Sequence, residues 1–145
     1  YNFSISPYID VSQKNKLSQN KQTGARKKPE RVEGTLSCEL PKLLVKKNDI
    51  HITSKRNFDC FQDTELDMLL KRTLDVKNII ICGVNTDTCV YGTTFGASNR
   101  GYNPIVIECC TGSMRGEDQH KTALKIMSQS IAWVMKKEEI LNKLN

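Results

Sequence analysis

The stretch Asn78-Ile79-Ile80-Ile81-Cys82-Gly83-Val84-Asn85-Thr86-Asp87-Thr88-Cys89-Val90 decides how this chain folds. The run NIIIC is continuous and apolar, and Gly83 ends it. Such a run suits a strand buried on both faces of a parallel sheet. Val84–Asp87 reads as a turn. A helix is expected from about Thr88 to Asn99, with Gly101 at the C′ position, where a left-handed residue closes a helix.

Working outward, the same alternation recurs. Pro104–Cys109 (PIVIEC) is a second buried strand, followed by a loop with Gly112 and Gly116 and a helix from Glu117 to about Ser130. Ile131–Met135 predicts a short edge strand, and Lys136–Leu144 a last short helix. Upstream, Asp49–Thr53 (DIHIT) alternates as a strand does. Thr64–Thr73 is an amphipathic helix with Leu66, Leu69 and Leu70 on one face and Thr64 as its N-cap. Cys38–Leu44 predicts a short helical turn. Strand, helix, strand, helix implies an α/β protein with a mostly parallel sheet covered by helices, a three-layer α/β/α arrangement. Sites in such sheets form at the C-terminal ends of strands. The turn after NIIIC is therefore the first place to look.

Residues 1–34 are different. Gln, Asn, Lys and Ser dominate, and neither the helical nor the strand period shows, so a polar loop or flexible arm is expected there. The expected domain is residues 35–145. The 145-residue chain carries a net charge of +6, with the excess mostly before residue 50. These cations are spread out with few aromatics between them, which argues for a solvated polar segment and against a nucleic-acid binder. No apolar run approaches the roughly 18 residues of a membrane span, and residues 1–20 lack the apolar core of a signal peptide. The six cysteines, Cys38, Cys60, Cys82, Cys89, Cys109 and Cys110, include no zinc-like spacing. They read as reduced thiols of a cytoplasmic protein. Cys109 and Cys110 are expected to point to opposite sides of their strand.

Cys89 is placed on the first turn of a helix that follows a strand. Amides and the macrodipole at a helix start stabilise a thiolate, and unpaired amides there can also hold an oxyanion. The competing reading is a Cys packed on the inner face of the helix, and position alone leans toward it.

The pattern G-V-x-T-x-x-C-V between strand and helix resembles the nucleophile motif of the isochorismatase-like hydrolases, which include nicotinamidases, N-carbamoylsarcosine amidases and ureidoacrylate amidohydrolases. The resemblance continues through Ser54-Lys55-Arg56-Asn57-Phe58-Asp59-Cys60-Phe61 with Thr64 and Leu66, through Gly101-Tyr102 and PIVIE, and through His120, Ala123 and Leu124. It covers roughly residues 32–140 and implies that fold. It also implies hydrolysis of a C–N bond in a small amide or ureido substrate, through a thioester on Cys89. Isochorismatases proper generally lack the Cys, so Cys89 implies amide chemistry. Lys55 would be the catalytic lysine; read without the family, it is an exposed cation. Val84 and Asn85 would be joined by a cis peptide that aims backbone amides at the oxyanion. Phe61 would line the pocket, or else be a core aromatic. His120 is read as a surface or packing residue. No cofactor or metal is expected, and a homo-oligomer is possible.

The family's third catalytic group is an Asp in a D-x-Q motif at the end of its first strand. Asp10-Val11-Ser12-Gln13 is the nearest string, and its spacing does not fit. The chain therefore reads as lacking the family's first strand, helix and second strand. The alternative to an enzyme is then a truncated, inactive relative acting as a fragment or a partner-dependent subunit.

Overall fold

A computed structural model of the chain describes residues 3–5, 36 and 39–144. Asp10, Gln13 and most of the 1–34 segment lie outside these residues. Two compact units are present, Tyr1–Asn57 and Phe58–Asn145.

In the first unit, β1 (Phe3–Ile5) and β2 (Ile50–Ile52) pair in parallel, with Phe3 opposite Ile50 and Ile5 opposite Ile52. β1 falls inside the segment expected to be a polar arm. Its three residues FSI are too few to show a period, and only pairing with a distant strand gives them a regular structure. Lys42–Leu44 form a short 3₁₀ turn.

The second unit carries the elements that position Cys89. Helix α1 begins at Leu66–Met68 and continues as a π-helical turn, Leu69–Thr73. Its N-cap position is Glu65 and not Thr64, and carries no side-chain cap bond; Thr64, one residue earlier, accepts from the Leu66 N–H at 3.3 Å through its Oγ1. Strand β3 (Asn78–Val84) runs into a π-helical turn, Thr86–Val90, and then helix α2 (Tyr91–Asn99). Gly101 closes α2 at φ +81°. Its N–H bonds to the Ser98 carbonyl, and the Tyr102 N–H reaches back to Ala97. That pair of bonds is a Schellman motif, as Gly at C′ predicts. Strand β4 (Asn103–Gly112), helix α3 (Glu117–Ser130), strand β5 (Trp133–Met135) and helix α4 (Lys137–Leu144) follow. The strands form one parallel sheet in the order β3-β4-β5.

The core of this unit is apolar and continuous. Leu66 and Leu70 of α1, Ile81 of β3, Val106 and Ile107 of β4, and Ala123, Leu124 and Met127 of α3 are all buried. The α3 trio sits at the spacing of one helical stripe. Two glycines let α2 approach its neighbour closely. A Cβ on Gly92 would stand 3.4 Å from Phe58 Cβ, and one on Gly96 only 2.4 Å from an Asp59 carboxylate oxygen. Arg100 completes that contact, donating to Asp59 at 3.3 Å and to the Gly96 carbonyl at 3.0 Å.

Two expectations about the strands change. β3 is not buried on both faces: Ile81 is buried, while Ile80, Cys82 and Val84 are exposed. Among the described residues β3 is an edge strand of its sheet, and within this unit only one of its faces is covered. Nor do Cys109 and Cys110 part to opposite sides. The pairing moves from Ile81–Val106 directly to Gly83–Thr111, so β4 bulges over residues 107–110. A bulge breaks the alternation of side chains, and the two sulfurs lie 4.0 Å apart.

Candidate active site

Cys89 is a free, half-buried thiol in the turn between β3 and α2. The sequence places the start of the helix near Thr88. The helical turn in fact begins at Thr86, because the Asn85 carbonyl accepts from both Thr88 and Val90 at 3.1 Å. The Val84–Asn85 peptide is cis, as the resemblance implied. Gly83 precedes it at φ +125°, a conformation L residues rarely adopt.

The turn is tied by side chains to the segment after β4. Asn85 Oδ1 accepts from the Met114 N–H at 2.9 Å. The Ser113 hydroxyl donates to Asp87 at 2.6 Å, and the Arg115 guanidinium bonds the other Asp87 oxygen. Burial alone would raise the Asp87 pKa. The bonds from Ser113 and Arg115, together with the Arg115 charge, instead hold the carboxyl below the usual aspartate range. Thr86 is fully buried, and its Oγ1 lies 2.8 Å from His120 Nδ1. The sequence suggests a surface or packing role for His120; in the structure its ring bonds to the turn that carries Cys89. The signals for these partners were Asp87 two residues before the Cys and the polar string Thr-Gly-Ser-Met-Arg-Gly at the C-terminal end of β4. Neither names its partner without the fold.

Lys55 follows β2 by three residues and is only 2% exposed, so it is not the exposed cation that its neighbour Arg56 suggested. A buried ammonium is costly unless charge or hydrogen bonding compensates it. It belongs to the first unit and Cys89 to the second. Phe61 is buried, stacked on Tyr102 at 5.5 Å between centroids, with Arg100 4.9 Å above its ring. These contacts are those of a core aromatic. A cavity of about 430 Å³ lies beside His120, lined also by Glu108, Thr111 and Lys136; Cys89 does not line it. Among the described residues no group of three or more His, Cys, Asp or Glu is arranged to hold a metal ion, and no helix is long and apolar enough to cross a membrane.

The chain belongs to the isochorismatase family: the Isochorismatase domain matches residues 8–139, taking in much of the segment read as an arm. It is 33% identical over 97 residues to the uncharacterized isochorismatase family protein YecD of Escherichia coli O157:H7, covering 67% of this chain and 50% of that one. Isochorismatase domain-containing protein 2 of Xenopus laevis is 30% identical over 81 residues, 55% of this chain and 38% of that protein. The chain thus spans about half or less of the length of these curated relatives. Among solved structures, an isochorismatase-like hydrolase from Alkaliphilus metalliredigens superposes with a TM-score of 0.84 over 99% of this chain and 72% of that one, at 22% identity. The nicotinamidase of Staphylococcus aureus is 34% identical and superposes with a TM-score of 0.57, covering 63% of this chain and 57% of that one. The α/β fold with a parallel sheet is the family's.

Proposed function

We propose that this protein hydrolyses a C–N bond in a small amide or ureido compound, with Cys89 as nucleophile. The Cys89 thiolate would attack the substrate carbonyl carbon and push its electrons onto the oxygen. Backbone amides of the Asn85–Cys89 turn would hold that oxyanion. Collapse breaks the C–N bond, and the nitrogen leaves protonated, as ammonia where the substrate is a primary amide. Water then hydrolyses the thioester, releasing the acid and restoring the thiol. Lys55 would supply a cation that favours the thiolate, and Phe61 would back the pocket. The thiol proton would pass to a first-strand Asp of the kind the family resemblance implies; Asp10 is poorly spaced for that role.

One observation carries this reading. Cys89 is a free thiol on the first helical turn after a parallel strand, where the sheet's geometry builds sites. The 34% identity to a nicotinamidase supports the choice of amide over vinyl ether chemistry.

The test is ammonia release from a panel of primary amides and ureido compounds, nicotinamide included, followed by mass spectrometry of an acyl adduct on Cys89. Release that disappears in Cys89→Ala, with the adduct on the Cys89 peptide, supports the proposal. No release from any panel member by the folded protein would favour the inactive, partner-dependent relative.

A further inference from the structure

Three consecutive residues of the nucleophile turn each commit a side chain to the same stretch of chain. Asn85 accepts from the Met114 amide, Thr86 bonds His120, and Asp87 takes both Ser113 and Arg115. Ser113 Oγ also accepts from the Arg115 N–H at 3.1 Å, so the two partners of Asp87 are bound to each other. The Asp87 side chain is 11% exposed, whereas that of Arg115 is 47% exposed. α3 packs directly against the turn Thr86–Val90. All these contacts lie within one compact unit.

Helical hydrogen bonding alone does not orient such a turn. The π-helical turn is only five residues long, a single turn, and Gly83 before the cis peptide adds freedom. The direction in which the Cys89 thiol and the neighbouring amides point must come from outside the turn. The cluster Ser113–Met114–Arg115–His120 supplies it. Asp87 is two residues from Cys89 and so is an obvious candidate for the base that takes the thiol proton. Its geometry argues otherwise, because each oxygen is already held by a donor from the segment after β4.

We propose that Asp87 is a positioning residue, which with Ser113, Arg115 and the Thr86–His120 bond fixes the backbone carrying Cys89 to the segment after β4. The proposal rests on the reading of Cys89 as the nucleophile, but the order it predicts in the turn exists without any substrate. Holding reacting groups within a fraction of an ångström is what such supporting bonds contribute to a site.

The experiment uses the protein with Asp87→Ala, Asp87→Asn and Arg115→Gln, the last altering only a half-exposed side chain. Two quantities are read: amide hydrogen exchange along the chain, and the rate at which iodoacetamide alkylates Cys89, followed on its peptide. In Asp87→Ala, exchange at residues 86–90 should rise about tenfold or more while the centre of α3 stays protected. Alkylation of Cys89 should change at least roughly threefold. Asp87→Asn, which still accepts from Ser113, should recover part of both effects. The double variant Asp87→Asn/Arg115→Gln should be no worse than the more affected single variant, as expected for residues acting as one unit. Exchange and alkylation within about twofold of the parent, or a rise spread evenly over the whole unit, would overturn the positioning role. If Cys89→Ala retained amide hydrolysis, the functional reading would fail while a localised exchange result would still stand. Should hydrolysis be present, Asp87→Ala should lower kcat with little change in KM.

Discussion

Two neighbouring strands each adjoin a cysteine-bearing irregularity, just after β3 and within β4, and the two are built in opposite ways. After β3, the turn that carries Cys89 is fastened by Asn85, Thr86 and Asp87 to the chain beyond β4. In β4, the bulge over residues 107–110 brings Cys109 and Cys110 to within 4.0 Å of each other. Both are exposed, and Cys82 of β3 adjoins them. Although Cys82 is exposed as a residue, its thiol is pushed up to about 11, first by partial desolvation and then by Cys110 and Cys109. Cys82 and Cys109 of this cluster both have raised pKa values, which favours their protonated form. Cys89, by contrast, stands on a helical turn that side chains fasten to the segment after β4. The two sites differ in what surrounds the sulfur: other thiols at the bulge, a side-chain-fastened turn at Cys89.

The strongest way to break this comparison is to remove each kind of cysteine in turn. Cys89→Ala should reduce any amide hydrolysis by about 1,000-fold or more, the cost of losing a covalent nucleophile. Cys82→Ser should leave the rate within about twofold. Equal losses from both would dissolve the distinction.

The fastening extends to the far side of α2, and Gly96→Ala probes it there. The added methyl would meet the Asp59 carboxylate at 2.4 Å. A urea titration should show a loss of about 1–3 kcal/mol, the range for overpacking. A neutral result would mean that the helix is held loosely.

Asp87→Asn gives a smaller effect with a pH dependence of known sign. The folded carboxyl has a lowered pKa. Its stabilisation is therefore present above the unfolded aspartate pKa and is lost as pH falls through the folded one. The variant should be less stable by about 1 kcal/mol at pH 7, a modest value because Arg115 is half exposed. The deficit should close as pH drops below about 4. A deficit independent of pH would assign the effect to packing rather than charge.

The smallest effect belongs to the bulge. With its pKa near 11, Cys82 should be about 0.1% thiolate at pH 8. Its alkylation should stay slow there and rise about tenfold per pH unit until the thiol titrates. Rapid labelling at pH 8 would refute the protonated cluster. Cys110→Ser should shift stability by no more than about 0.5 kcal/mol, as exposed positions do.

The sequence by itself determined the order of elements in the second unit. NIIIC, PIVIEC and the α3 stripe are local patterns, and Gly101 marks a helix end through its own backbone freedom. It also singled out Cys89, because a Cys on a strand-to-helix turn is a local fact. Only the tertiary structure decided the rest. The strand Phe3–Ile5 exists through pairing with residues some forty-seven positions away, Phe3 with Ile50. The exposed face of β3 depends on what packs over the sheet, and the meeting of Cys109 and Cys110 follows from a register shift against β3. The burial of Lys55 and the partners of Asp87 and Thr86 are long-range as well. A single chain read along its length carries propensity and period. Register, edges and the second partner of a hydrogen bond are set only when distant segments are brought together.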